Sequence, residues 1–441
     1  MTTPDLAGMA ERVMELVGDR AEAEVTASTG RSAITRFANS NIHQNVAEDH
    51  LGVRLRLVAD GRLAGSSTNR TDADGLSRLV ETTFAAAALR PRDERWPGTA
   101  PPAAAPPVEH WDPPTARAPA EGRAEVVKAF VDAGSGLSAA GYCSSNGYEV
   151  YFANSGGQRV GGRATSATVD GIHRALPDSD GSGWQSTLGL GALDGARAGA
   201  EAAAKARAGI DALELLPGRY EVVLEPACVA DLLDFVVGYG FSAKAHAERR
   251  SFVRLGEPQF DPAISIADDA TDPRSPSLAF DAEGTPRRRL DLVLAGVPTG
   301  LLHDRRSAAQ AGAQSTGHGI AGGESYGPAP STLVLAPGAS SASELIAGVE
   351  RGLLVSEFWY TRILDPKTQV VTGLTRNGVG LIEGGEVTRA VRNLRFTQSY
   401  AEALAPGNVV AVGSDARLRG GDAIVPSLHL ASWHFTGGAR G

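Results

Sequence analysis

The sequence predicts an α+β fold in which an N-terminal antiparallel sheet with helices precedes a mainly β C-terminal domain with a few helices. Its 441 residues exceed what one hydrophobic core ordinarily covers, so two domains are expected. Alternating apolar and polar residues around an Asp60-Gly61 turn indicate an antiparallel meander. Short strand-like segments after residue 350 indicate the β character of the second domain. Because Leu215-Leu216-Pro217-Gly218 interrupts the pattern, the predicted domains are 1–214 and 215–441.

Composition and charge restrict the classes of function. Hydrophobic residues make up 42% and charged residues 21% of the chain, as in ordinary folded proteins. The formal net charge of -9 argues against a nucleic-acid partner. The sequence has neither a long unbroken apolar stretch nor an N-terminal signal pattern, so we expect a cytoplasmic protein with no membrane partner. Cys143 and Cys228 are too few and too distant for a disulfide framework or a Cys-rich metal site.

The N-terminal elements are predicted from residue periodicity. Helices are expected where apolar residues recur at helical spacing, over 5–18, 75–89, 121–133 and 194–208. Strands are expected where apolar and polar residues alternate, over 23–28, 32–38, 51–58, 62–68, 137–144, 149–154 and 162–173. The density of proline between residues 91 and 120 predicts an extended surface connection. Gly181-Ser182-Gly183-Trp184 is predicted to be a loop.

The C-terminal elements are predicted in the same way. An apolar strand ending at Leu224 and a helix reaching Gly240 open the domain, and a second helix is expected after Ser341 or Ser343. Strands are expected over 290–294, 332–336, 352–360, 369–375, 378–381, 385–394 and 426–435. Asn377-Gly378 and Gly384-Gly385 are predicted to be the turns between strands.

The chemistry of a zinc peptidase is missing from the helix that ends at Gly240. Such a helix needs two histidines on one face and a carboxylate that activates water, but this helix offers Asp234, Phe235 and Tyr239. Elsewhere, the best local candidates for a site are His303, beside an aspartate, and His318, in a Gly-rich loop. A lone histidine is weak evidence, so a polar loop residue is the simpler interpretation of each.

Several segments, taken in order and spacing, resemble the TldD/PmbA family. The similar stretches are Arg36-Phe37-Ala38-Asn39-Ser40, Gly52-Val53-Arg54, residues 222–240, residues 280–286, Ser315-Thr316-Gly317, Leu335-Ala336-Pro337-Gly338, residues 351–355, Asn377-Gly378, residues 382–386 and Gly437-Gly438. They extend over nearly the whole chain. Members of this family pair as a metallopeptidase subunit, TldD, and a companion, TldE or PmbA, that lacks the metal site.

The resemblance implies where a metal motif would lie. In the peptidase subunit the corresponding helix carries His-Glu-x-x-x-His, and a cysteine near the C-terminus is a further zinc ligand. On this sequence the histidines fall on Asp234 and Tyr239, and the glutamate falls on Phe235. Neither cysteine of this chain lies near the C-terminus. The resemblance therefore implies a TldE/PmbA-like subunit with no metal, no cofactor and no catalytic residues of its own.

Three hypotheses of function follow. The resemblance implies a non-catalytic companion subunit of a TldD-like zinc metallopeptidase complex that proteolyses unfolded or modified peptides. Its partners would be the peptidase subunit and a peptide, and it could form a homodimer when isolated. The first alternative is a stand-alone hydrolase whose site includes His303, His318 and nearby carboxylates. The second is a homo-oligomeric peptide-binding protein without an enzymatic partner.

Overall fold

The N-terminal half is built on one antiparallel sheet. The protein is seen as a computed structural model that describes residues 4–438. The strands are β1 Glu22–Ala38, β2 Asn41–Ala59, β3 Arg62–Thr68, β4 Ser138–Asn154, β5 Arg159–Leu176 and β6 Ser179–Thr187. Their order in the sheet is β3-β2-β1-β4-β5-β6. The segments predicted as separate strands over 23–38 and 137–154 are thus single long strands.

Helices cover one face of this N-terminal sheet. They are α1 Leu6–Val17, α2 Ala73–Ala88, α3 Pro113–Ala116, α4 Ala120–Ala133 and α5 Gly195–Ala208. The Asp5 side chain caps α1 by accepting a hydrogen bond from the Gly8 N–H. Apolar residues of α1 and α2 pack against odd-numbered residues of β1 such as Val25. Because side chains alternate along a strand, even-numbered residues such as Glu24 lie on the opposite face.

Two N-terminal predictions are wrong. Residues 181–184 are not a loop but lie in β6, because their glycines permit close packing rather than a turn. A Cβ on Gly183 would lie 1.9 Å from the Ala198 carbonyl oxygen of α5. The Pro-rich connection is also not wholly extended, since α3 lies within it and His110 is buried. The His110 ring nitrogens lie 2.8 Å and 3.0 Å from backbone oxygens of Ser277 and Asp272.

The C-terminal half is mainly β. Its strands are β7 Gly218–Leu224, β8 Ile266–Asp268, β9 Leu290–Leu294, β10 Val297–Pro298, β11 Leu333–Leu335, β12 Arg351–Asp365, β13 Val370–Glu383, β14 Glu386–Ala390, β15 Leu394–Ser399, β16 Val409–Val412, β17 Arg417–Arg419, β18 Ala423–Val425 and β19 Leu428–Gly438. Its helices are α6 Pro226–Gly240, α7 Ala243–Ala247, α8 Arg305–Ala311, α9 Gly323–Tyr326, α10 Ala342–Ala347 and α11 Tyr400–Ala403.

Two sheets organise these C-terminal strands. One has the order β10-β9-β8-β11-β18-β17, and the other has the order β12-β7-β19-β15-β13-β14 with β16 paired to β19. Apolar residues of both sheets and of α6 form a single core cluster. The predicted turn at Asn377-Gly378 is wrong: both residues lie inside β13. Their φ angles of 57° and 137° accompany a register shift opposite Val355 and Glu357, so the pair forms a bulge.

Polar contacts join the two halves. Arg419 of β17 donates hydrogen bonds to Asp170 of β5 at 2.6 Å and to Glu357 of β12 at 3.3 Å. The Tyr148 hydroxyl of β4 donates to the Pro276 carbonyl oxygen at 2.7 Å. The face of the N-terminal sheet that lacks helices is therefore held against the C-terminal half.

The predicted α+β class is confirmed, with an N-terminal antiparallel sheet that carries helices and a C-terminal half that is mostly strand. Among residues 4–438, no helix has both the length and the apolar character needed to span a bilayer.

Candidate functional site

Helix α6 follows β7 directly and has one strongly buried side. Pro226 occupies the first turn, where a missing N–H costs no helical hydrogen bond. Leu232, Leu233 and Val236 are fully buried in the C-terminal core. This burial leaves the opposite side of α6, which includes Asp234 and Tyr239, at the surface.

Aromatic rings occupy the surface side of α6. The rings of Phe235 and Tyr239 are stacked with centroids 6.0 Å apart. Phe235 also contacts Tyr400 edge to face, with ring centroids 5.7 Å apart and an angle of 89° between the ring planes. Asp234 lies beside this stack, and burial, followed by the nearby charge of Asp422, raises its pKa. Here the structure brings together the three residues that the resemblance places at the metal motif.

A half-buried carboxylate lies one helical turn before these residues. Asp231 accepts hydrogen bonds from the Thr361 hydroxyl at 2.7 Å and the Tyr400 hydroxyl at 2.9 Å. Burial raises the pKa of Asp231 to about 6, although both hydrogen bonds act in the opposite direction. The carboxylate anchors the aromatic stack, since Tyr400 contacts both Asp231 and Phe235.

The side chains on this face do not fit a zinc ion. Zinc in proteins is bound by Cys, His, Asp or Glu, and a catalytic ion needs three such ligands. Phe235 has no ligating atom, and the Tyr239 ring is stacked against it. Throughout the part of the chain that the structure describes, no three His, Cys, Asp or Glu side chains are placed to hold a metal ion. We therefore derive no catalytic step through a metal on α6.

The structure brings the two candidate histidines together, but in a packed loop. His318 is fully buried, with Nδ1 2.8 Å from the Thr316 hydroxyl and Nε2 3.0 Å from Asp268 Oδ1. The same Thr316 hydroxyl accepts from the His303 N–H at 2.8 Å. Burial lowers the pKa of the half-buried His303. Asp304, the carboxylate next in sequence, caps α8 by accepting from the Ser307 N–H. These contacts stabilise the loop, and the His318 ring is not exposed to solvent.

Sequence reasoning missed Asp231 and Tyr400 as partners. They are 169 positions apart, and no local motif joins them. Each residue is visible in the sequence only by itself: Asp231 is a polar residue within the mostly apolar α6, and Tyr400 is an aromatic residue at the start of α11. Only the tertiary fold shows that they meet.

Two family models match parts of this chain. The model described as "PmbA/TldA metallopeptidase C-terminal domain" matches residues 217–437, and that described as "PmbA/TldA metallopeptidase domain 1" matches residues 23–87. The chain belongs to the PmbA/TldD metallopeptidase-related family, which confirms the resemblance seen in the sequence.

Two relatives illustrate the range of likeness. The chain is 24% identical over 210 residues to the metalloprotease TldD homolog of Buchnera aphidicola subsp. Acyrthosiphon pisum (strain APS). That match spans 46% of this chain and 43% of the relative, which is less than half the length of either. The crystal structure of TldE from Thermococcus kodakarensis superposes with a TM-score of 0.89 at 18% identity, covering 98% of this chain and 99% of the other. At that identity the likeness shows a shared fold alone.

Proposed function

We propose that this chain is a non-catalytic companion subunit that assembles with a TldD-like zinc peptidase. The observation that carries the proposal is the aromatic stack on α6, in which Phe235 and Tyr239 occupy two of the three motif positions and pack against Tyr400. The third position, Asp234, can offer one carboxylate ligand, but Phe235, at the position of the glutamate, cannot act as a base. The complex would act in the cytoplasm on unfolded or modified peptides, and this chain would contribute binding surface rather than chemistry.

The surface of α6 suits contact with a partner. Tyr239 is 39% exposed and stacked on Phe235, so α6 presents an ordered aromatic ring at the surface. Tyrosine combines a large apolar area with a polar tip and is enriched at protein interfaces. The companion hypothesis accounts for both the loss of zinc chemistry and the exposed ring.

The assembly is tested with the chain and the TldD-like peptidase encoded in the same genome. Size-exclusion chromatography with light scattering should show a mixed complex, and peptidase activity should be higher in the mixture than in either protein alone. The Tyr239→Ala variant should weaken the complex, whereas Tyr326→Ala, at another exposed tyrosine, should not. No complex, or full activity of the partner alone, would contradict the proposal.

Restoring the motif on α6 is expected to leave the isolated chain inactive. The triple variant Asp234→His, Phe235→Glu and Tyr239→His supplies two histidines and a glutamate, but it supplies no thiolate from the C-terminal segment. Three protein ligands are needed to lower the pKa of a zinc-bound water to the working range. Metal analysis and cleavage of an unfolded peptide, with and without a chelator, provide the measurement. Zinc-dependent cleavage by the triple variant alone would refute this expectation.

The stand-alone hydrolase predicts a different result for the wild-type chain. It requires stoichiometric metal, or chelator-independent cleavage that is lost on replacing His303 or His318. The burial of His318 and its contacts with Thr316 and Asp268 argue against a substrate reaching that ring.

A further inference from the structure

A cleft of about 850 Å³ separates the helix-free face of the N-terminal sheet from a C-terminal segment. Its floor is formed by even-numbered residues of β1 and β2, and its roof by residues near Phe280 and Asp281. One side is closed where Phe280 packs on Phe152. The volume lies within the range of small-molecule sites. No residue of α6 lines this cleft, so it is separate from the aromatic surface of α6.

One end of the cleft has more carboxylate than cation. Glu24 is 4% exposed, and its Oε1 has no hydrogen-bond partner among residues 4–438. Its other oxygen lies 3.5 Å from Arg56, which is also 3.5 Å from Glu324 and 3.7 Å from Glu283. Asp281 lines the same end. Arg56 thus lies near three carboxylates, Arg305 adds a second positive charge near Glu24, and the buried Oε1 of Glu24 remains without a donor.

The neighbouring part of the floor carries an unpaired guanidinium group within the described chain. Arg54 is half-buried in the cleft, and within the described chain its guanidinium makes neither a hydrogen bond nor an ion pair. Arg287, from the roof, is held by a hydrogen bond from its Nε to the Gly317 carbonyl oxygen at 2.8 Å. His50 lies at the same end. Guanidinium groups placed in this way bind carboxylates, commonly through two parallel hydrogen bonds.

The strand register sets the spacing at which the Glu24 and Arg54 side chains leave the floor of the cleft. Glu24 pairs with Arg56, and Thr26 pairs with Arg54, so Glu24 and Arg54 are diagonal neighbours. Diagonal neighbours in an antiparallel pair are about 7 Å apart. Two extended amino-acid residues also span about 7 Å, whereas one residue spans about half of that.

We propose that this cleft binds a short zwitterionic peptide of about two residues, with its α-ammonium group at Glu24 and its carboxylate at Arg54. The ammonium group would supply the missing donor to Glu24 Oε1 and offset the excess of buried carboxylate. Burial raises the pKa of Glu24 to about 7, which agrees with a carboxyl group whose negative charge is poorly compensated in the empty cleft. The inference does not depend on assembly with a peptidase, since the cleft lies within one chain.

Calorimetric titration of the full chain with L-alanyl-L-alanine tests the proposal. One saturable site is expected. Free alanine, N-acetyl-dialanine and dialanine amide should each bind more weakly by at least about tenfold. Free alanine is too short to reach both groups, the N-acetyl form lacks the ammonium group, and the amide lacks the carboxylate. Absence of saturable binding up to millimolar dialanine, or equal binding of all four compounds, would overturn the proposal.

Variants assign each terminus of the peptide to its residue. In Arg54→Gln, dialanine should bind no better than its amide, and in Glu24→Gln it should bind no better than its N-acetyl form. The control is Arg78→Gln, an exposed arginine on α2 beyond the opposite face of the sheet, which should bind as the wild type does. If Glu24→Gln fails to fold by circular dichroism, the Arg54→Gln comparison decides alone. If Arg54→Gln still binds dialanine more tightly than dialanine amide, the assignment of the peptide carboxylate to Arg54 is wrong.

Discussion

Trp433→Ala is expected to lower the free energy of unfolding by about 3–5 kcal/mol. The indole is fully buried, and its ring lies 5.1 Å from Phe358, 5.4 Å from Phe396 and 5.5 Å from Tyr400 between centroids. Its N–H has no hydrogen-bond partner among the described residues, so the loss would come from packing alone. The rings around it belong to different strands and a helix, so they cannot close the cavity without moving the backbone.

Urea unfolding followed by far-ultraviolet circular dichroism measures this loss, with Trp359→Ala as the matched control. Trp359 is 49% exposed and lies against Arg376, with 4.4 Å between the guanidinium carbon and the ring centroid. An exposed cation–π contact contributes about 1 kcal/mol or less. Equal losses in the two variants would show that the aromatic cluster does not support the core. Because Tyr400 also supports Phe235, Trp433→Ala should in addition weaken the proposed complex with a TldD-like peptidase.

Much of the N-terminal sheet could be predicted from local pattern. Strict alternation along β1 places Val25 and Ala27 under the helices and leaves Glu24 and Thr26 on the other face. Residue period alone specifies that separation, because a slip of one residue would exchange the two faces. The helix predicted over residues 5–18 is likewise present as α1, and Asp5 caps its start.

Glycine caused two of the three errors, because this one residue type serves different purposes. At Gly183 it permits the backbone of α5 to approach β6, and at Gly378 it permits a bulge with φ of 137°. Sequence alone does not distinguish these uses from the turn at Gly384-Gly385, where the φ angles are 59° and 82°. Close approach depends on which helix packs against the strand, and that is decided by tertiary structure.

The sequence predicted some residues of the candidate sites and not others. The positions Asp234, Phe235 and Tyr239 came from the family resemblance, and the fold places them on one side of α6. The partnership of Asp231 with Tyr400, and the approach of Asp281 to Glu24, join segments far apart in the chain. Such contacts leave no periodic signal, because neither residue's neighbours differ from those of an ordinary helix or strand.

Glu24 is expected to make folding less favourable as the pH rises. Burial raises its pKa from 4.5 to about 7; Arg56 and Arg305 oppose the shift, and Asp281 and Glu324 add to it. The folded state therefore holds a proton on this carboxyl between about pH 4.5 and pH 7, where the unfolded state has released it. The contribution of this proton to stability is complete below pH 4.5 and is lost as the pH rises through 7. Each pKa unit corresponds to about 1.4 kcal/mol, so the loss across this range is about 3 kcal/mol.

Comparing Glu24→Gln with the wild type separates this group from the others that titrate. The amide has no proton to release, so the difference in unfolding free energy between the two proteins should move by about 3 kcal/mol in favour of the variant between pH 4.5 and pH 7.5. Urea unfolding at a series of pH values, without peptide present, gives that difference directly. Glu48→Gln, on an exposed position of β2, should leave the wild-type dependence unchanged. If the curves of Glu24→Gln and the wild type run parallel, Glu24 is either ionised in the folded state or already supplied with a donor, and the acidic end of the cleft has no vacancy for an ammonium group.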